Sequence, residues 1–158
     1  MIHHLRSLLS GESVCSETYF APGETEGHPT IGDTAIGDTV IVLSDHGVRS
    51  RSLGPSPYRP ISNPEFSKLI DVEPEWIGNG AASRPKADAW NTMKLTRKGD
   101  DVEISLNGEQ VGRLKRSGEL PLGFYRRGHH KARICNIVLT GDWPTEVPED
   151  LLERLGVR

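Results

Sequence analysis

The stretch Gly123 to Pro144, GFYRRGHHKARICNIVLTGDWP, crowds together the side chains most able to do chemistry: Arg126, Arg127, His129, His130, Lys131, Arg133 and Cys135. Such a set could hold a metal, pair a nucleophile with a base, or receive an anion. Zinc needs three or four ligands, usually including a close pair held by local geometry. His3-His4 and His129-His130 are adjacent pairs, and neighbours on a strand point to opposite faces, so each pair offers one ligand to a given site. His28, His46, Cys15 and Cys135 are scattered, and no zinc site is expected. Asp33 and Asp38 in the near-repeat IGDTAIGDT are weak calcium candidates; turn-forming Asp is the commoner reason for such a pattern. No other cofactor is implied.

Nucleophilic catalysis by Cys135 would need an exposed thiolate with a base in reach. Within the apolar run ARICNIVL it reads instead as a small buried hydrophobe. A retaining glycosidase needs two carboxylates about 5 Å apart, most readily two or four residues apart on one strand. In DDVEI, Asp101 and Glu103 share a face, but beside a turn and out of phase with core residues, which is the pattern of a solvated outer face. No residue is therefore assigned a catalytic role, and an enzyme is the less favoured reading.

What remains is charge and aromatic surface. From Arg113 to Arg133 seven Lys and Arg and two His stand against the single acid Glu119. A stripe of this kind suits an anionic partner such as a sulfated or uronic polysaccharide, although alternate outward positions of an antiparallel sheet are often simply charged. Nucleic acid would also call for stacking aromatics, and Phe124 with Tyr125 is thin for that purpose. Tyr58 and Trp76 lie in a loop-like region and are the rings best placed to stack on a sugar, whereas Trp90 and Trp143 read as anchors at the edge of the core. The candidate ligand-binding residues are thus Tyr58, Trp76, Arg126, Arg127, His129 and His130.

These side chains need a scaffold, and the composition says which. The chain of 158 residues is long enough for one domain with a core, and its 35% hydrophobic content with 17 Gly and 11 Pro suits short strands joined by turns. A formal charge of −3 argues against a surface built throughout to neutralise phosphate. No run approaches the roughly 18 apolar residues of a membrane span. The opening MIHHLRSLLSGESV has no proper signal-peptide core, so the expected location is cytoplasmic, or the chain is an exported piece of something longer.

Alternation of apolar and polar residues, a period of two, marks the strands. SVCSETYF is one. TVIVL and GVRSRSL flank the turn SDHG as a hairpin over Thr39 to Leu53. WNTMKLTRKGDDVEISLNGEQVGRL reads as a three-strand meander, with Asn107-Gly108 supplying the type I′ turn that needs positive φ at both central residues. GFYRR and ARICNIVL add two strands around RRGHHK as a turn, and PEDLLERL forms a short amphipathic helix closed by Gly156. Between Gly54 and Pro85 six prolines predict a long loop, with at most a helical turn at NPEFSKLIDV.

The segments PGETEGHPT (Pro22 to Thr30), DHGVR (Asp45 to Arg49), Trp90-Asn91, Leu106 to Glu109 and the run Asn136 to Pro144 ending in GDWP resemble an uncharacterised domain family of planctomycete bacteria. More broadly, the C-terminal half is similar to concanavalin A-like sandwiches of the laminin-G and glucanase superfamily. That resemblance implies an all-β jelly-roll sandwich of two antiparallel sheets followed by a short C-terminal helix. It also implies that first and last strands run side by side, which would bring Cys15 near Cys135 and leave a disulfide open. It implies no reaction, since the fold hosts lectins, hydrolases and adhesion modules alike, and the glucanase run Glu-x-Asp-x-x-Glu is missing.

The expected organisation is a tail over 1–10, a sandwich over 11–144 with a Pro-rich loop region at 54–85, and a short helix within 145–158. The favoured function is a non-catalytic carbohydrate- or ligand-binding module of a larger assembly. A glycan-acting hydrolase with an atypical site, or a structural and protein-interaction module, are the alternatives.

Overall fold

The computed structural model describes residues 2–21, 27–31, 39–52, 75–79, 83–116, 118, 120–125 and 133–142, which form eleven strands and no helix. The C-terminal helix expected within 145–158 lies outside the described residues. Alternation does what it should at β2 (Ser13–Phe20), where Val14, Ser16, Thr18 and Phe20 are buried and Cys15, Glu17 and Tyr19 are half-exposed. The meander is β7 (Ala89–Lys98), β8 (Asp101–Leu106) and β9 (Glu109–Lys115). Its second turn has φ of 53° at Asn107 and 88° at Gly108, the left-handed pair that an Asn-Gly turn is suited to adopt.

Together with β11 (Ile134–Thr140), these strands make a five-stranded antiparallel sheet in the order β11-β2-β7-β8-β9. The second sheet has six strands in the order β1-β10-β3-β4-β5-β6. It contains β1 (Ile2–Ser7), β3 (Gly27–Ile31), the hairpin β4 (Thr39–Ser44) and β5 (Gly47–Ser52), β6 (Glu75–Asn79), and β10 (Pro121–Tyr125). Ile41, Leu43 and Leu122 from this sheet meet Leu95, Ile104 and Leu106 from the other, all essentially without solvent exposure. Each such side chain contributes about 1.5–3 kcal/mol by burial. The architecture is the jelly-roll sandwich that the sequence resemblance implied.

Two boundaries differ from expectation. The tail expected over 1–10 contains β1, which pairs with β10 through Ile2↔Tyr125, His3↔Phe124 and His4↔Gly123. The loop region expected over 54–85 contains β6, which pairs with β5 through Arg49↔Trp76 and Val48↔Gly78. This strand also closes one side of the sandwich against β9. A Cβ on Gly78 would run into the Val111 carbonyl, and one on Gly112 into the Ile77 carbonyl. Glycine stands where the two sheet edges come too close for any side chain. At the other end of the meander, Arg97 donates to the carbonyls of Leu8 (2.7 Å), Gly118 (2.8 Å) and Gly99 (2.9 Å), and so ties three separate turns to one guanidinium.

Candidate ligand-binding surfaces

Trp76 is on edge strand β6 of the six-stranded sheet, directly opposite Arg49 of β5. The Arg49 guanidinium lies 4.7 Å from the centre of the indole. His46, in the turn between β4 and β5, packs edge-on at 6.2 Å. With Val48 turned into the core, Arg49 and Trp76 must face outward, and Trp76 is 43% exposed. The cation over the ring contributes about 0.5–1 kcal/mol at such an exposed position and holds the indole in place before any ligand arrives. Trp76 therefore presents an ordered ring on a surface with a guanidinium and an imidazole beside it. Of the other sequence candidates, Tyr58, Arg126, Arg127, His129, His130, Asp33 and Asp38 all lie outside the described residues. Among the described residues, no group of three His, Cys, Asp or Glu is gathered in a way that could hold a metal ion, and no helix is long and apolar enough to cross a membrane.

The outer face of the five-stranded sheet is described almost completely, and it is graded from end to end. At one end Glu103 meets Lys98 at 2.7 Å and Asp101 meets Arg113 at 3.7 Å. The two carboxylates do share a face, but each is engaged by a cation across a strand. At the other end, Arg133 stacks over Tyr19 at 4.6 Å and Tyr19 packs edge-on against Trp90 at 5.6 Å. One step along the strands, Glu17 accepts hydrogen bonds from the Cys135 thiol at 3.6 Å and from the Asn136 side-chain amide.

Cys135 is thus a half-buried residue of the outer face, not the core hydrophobe expected from the sequence. The reason is a register shift between Cys135 and Val138, with Asn136 at φ 49°. The bulge leaves Leu139 packed against the core and exposes Ile137 and Val138. Partial burial raises the pKa of the Cys135 thiol, and the Glu17 carboxylate, as hydrogen-bond acceptor and negative charge, raises it further. That is the opposite of an activated nucleophile. Cys15 stands opposite Val138 on the neighbouring strand, so the two cysteines do lie on adjacent strands, and both are free thiols.

Residues 1–146 match the family described as Domain of unknown function (DUF1583_N). The chain belongs to DUF1583_N. No curated protein matches it by sequence. Among solved structures, this DUF1583_N chain is similar to the Caenorhabditis elegans galectin LEC-6, with a TM-score of 0.55 and 8% identity over 89% of this chain and 90% of the galectin. It also aligns with the mouse laminin alpha1 chain domains LG4-5, with a TM-score of 0.47 and 11% identity over 87% of this chain and 39% of that one. At such identities the likeness to the galectin establishes the concanavalin A-like fold and nothing finer.

The motif residues of this DUF1583_N domain have structural duties. The Asn91 amide is wholly buried; it accepts from the Lys86 N–H at 2.7 Å and donates to the carbonyls of Lys86 and Ala89, both at 3.0 Å. Asn107 donates through its own amide to Asn91 at 2.9 Å and accepts from the Thr92 N–H at 3.0 Å. Trp-Asn and Leu-Asn-Gly-Glu are therefore two halves of one polar clasp that fixes the entry of β7 against the β8–β9 turn. Trp90 itself, expected as an anchor at the edge of the core, is 45% exposed on the outer face. The signal that finds it is plain alternation: the phase that buries Asn91, Met93 and Leu95 turns Trp90 outward.

Proposed function

We propose that this DUF1583_N domain is a non-catalytic binding module whose ligand is an acidic polysaccharide. The observation that carries the reading is the exposed Trp76 ring with Arg49 above it and His46 at its side. A sugar ring can pack its C–H face on the indole while a uronate or sulfate meets the guanidinium, a pairing strengthened by charge. Tyr58, Arg126, Arg127, His129 and His130 stay candidate ligand contacts by residue type, the last four as members of the basic stretch Arg113 to Arg133. Supporting a non-catalytic reading, Asp101 and Glu103 are each paired with a cation, Arg113 and Lys98 respectively, as charged residues on a solvated outer face commonly are.

The test is a glycan array with a panel of sulfated and uronic polysaccharides, read for wild type, Trp76→Ala and Arg49→Met. Binding that falls by at least about tenfold in Trp76→Ala is expected, as for a central aromatic contact. A clean negative across the sulfated and uronic polysaccharides would sink the reading. A sugar-release assay paired with Asp101→Ala and Glu103→Ala addresses the hydrolase alternative, which requires an activity that those two substitutions remove.

A further inference from the structure

The row formed by Arg133, Tyr19 and Trp90 has no role in the Trp76 surface: it belongs to the other sheet and to a different set of neighbours. Its members lie side by side: Tyr19 of β2 and Trp90 of β7 are register partners, and the Tyr19 N–H donates to the carbonyl of Arg133, the residue before β11, at 3.0 Å. The rings and the guanidinium hold one another, yet nearly half of Trp90 stays in solvent. Along the edge of this platform lie the Glu17 carboxylate, the Asn136 amide, and Thr92, the partner of Glu17 on β7. Donors and acceptors therefore sit beside an exposed indole, and the charges of Arg133 and Glu17 oppose one another.

We infer that this row binds the face of an uncharged pyranose ring in a neutral polysaccharide, at a site separate from the Trp76 surface. A sugar hydroxyl both donates and accepts, so it can use Arg133, Asn136 and Glu17 alike. A sulfate or uronate meets Glu17 as a like charge beside the platform and gains little from Arg133. A protein partner needs a continuous patch on the order of 800 Å² per side, and here the Glu17, Cys135 and Asn136 row divides Trp90 and Tyr19 from the exposed Ile137 and Val138. The preformed stack lowers the ordering cost that a ligand would otherwise meet on a free side chain.

The experiment is affinity electrophoresis of the full chain through gels carrying an uncharged β-glucan, galactan or mannan. Wild type should be retarded by at least one of them, with affinity reduced at least about tenfold in Trp90→Ala, a few-fold in Glu17→Gln, and unchanged in Trp76→Ala. Melting temperatures check that each variant folds. Independently, titrating the wild-type chain with the matching oligosaccharide should shift the Trp90 indole N–H resonance, assigned by its loss in Trp90→Phe, and leave that of Trp76 in place. The inference is overturned if no neutral polysaccharide retards the protein, if retardation survives Trp90→Ala, or if only the Trp76 resonance moves. Because the acidic panel and Trp76→Ala probe the other surface, failure of one reading is separable from failure of the other.

Discussion

Trp76 and Trp90 are exposed to almost the same degree, 43% and 45%; Trp76 is braced directly by Arg49 and the His46 ring, whereas Trp90 is braced by the Tyr19 ring, which in turn carries Arg133. They differ in seat and in company. Trp76 rides on an edge strand, beside Arg49 and His46; Trp90 lies on an interior strand, one step from Glu17. Exposure of an indole thus marks both surfaces without distinguishing them, and the sign of the neighbouring charge decides which ligand chemistry each would accept.

The sharpest way to break this comparison is to move one platform and leave the other. Gly112→Val forces a branched side chain into the Ile77 carbonyl, where backbone has little room to yield. A loss of about 3 kcal/mol or more is expected, together with displacement of β6 and of Trp76. Urea unfolding of wild type and variant measures it, and equal stability would show that β6 does not lean on β9. Next in size is Asn91→Ala, which strips partners from the Lys86 N–H, two carbonyls and the Asn107 amide. About 2 kcal/mol of stability should go, and neutral-glycan affinity should drop more than acidic-glycan affinity, because the clasp adjoins Trp90. The opposite ranking would refute that link.

A smaller effect separates the surfaces by salt. Raising ionic strength from about 0.05 M to about 0.5 M should weaken acidic-polysaccharide binding roughly tenfold through screening and leave neutral-glycan binding nearly level. Parallel slopes in isothermal titrations would erase the distinction drawn here. Smallest is the thiol: Glu17→Gln removes the negative charge that disfavours the Cys135 thiolate, so alkylation of Cys135 near neutral pH should speed up a few-fold while Cys15 is unchanged. Partial burial still holds the thiol pKa up, so the full shift should not be recovered. Peptide mapping after timed iodoacetamide treatment reads both cysteines at once.

Strands β2, β4, β5, β7, β8, β9, β10 and β11 were legible in the sequence because alternation and turn chemistry are local signals, and the Asn107-Gly108 turn stands where it was expected. Strands β1, β3 and β6 were not. IHHLRS and EWIGN carry no apolar alternation, and each is a sheet-edge strand, defined by the partner it finds. The ring of Trp76 could be picked out by type, but its neighbours Arg49 and His46 are given by register between β5 and β6, which no local pattern encodes. Trp90, expected as an anchor at the edge of the core, follows the two-residue period instead and stands on the outer face. At Cys135 the period itself failed, because a bulge at Asn136 resets it.

The pairing of β1 with β10 and of β2 with both β7 and β11 has a consequence in time. The earliest strands of this domain have late strands as partners, so the six-stranded sheet cannot be completed until residues 121–125, and the five-stranded sheet until residues 134–140, have left the ribosome. Loop closure over such separations comes before the contacts that reward it, and domains of this kind fold slowly, on the order of milliseconds to seconds. Until then β2 waits with Val14 and Phe20 uncovered. The interval in which this chain is most open to aggregation is thus set by its own strand order.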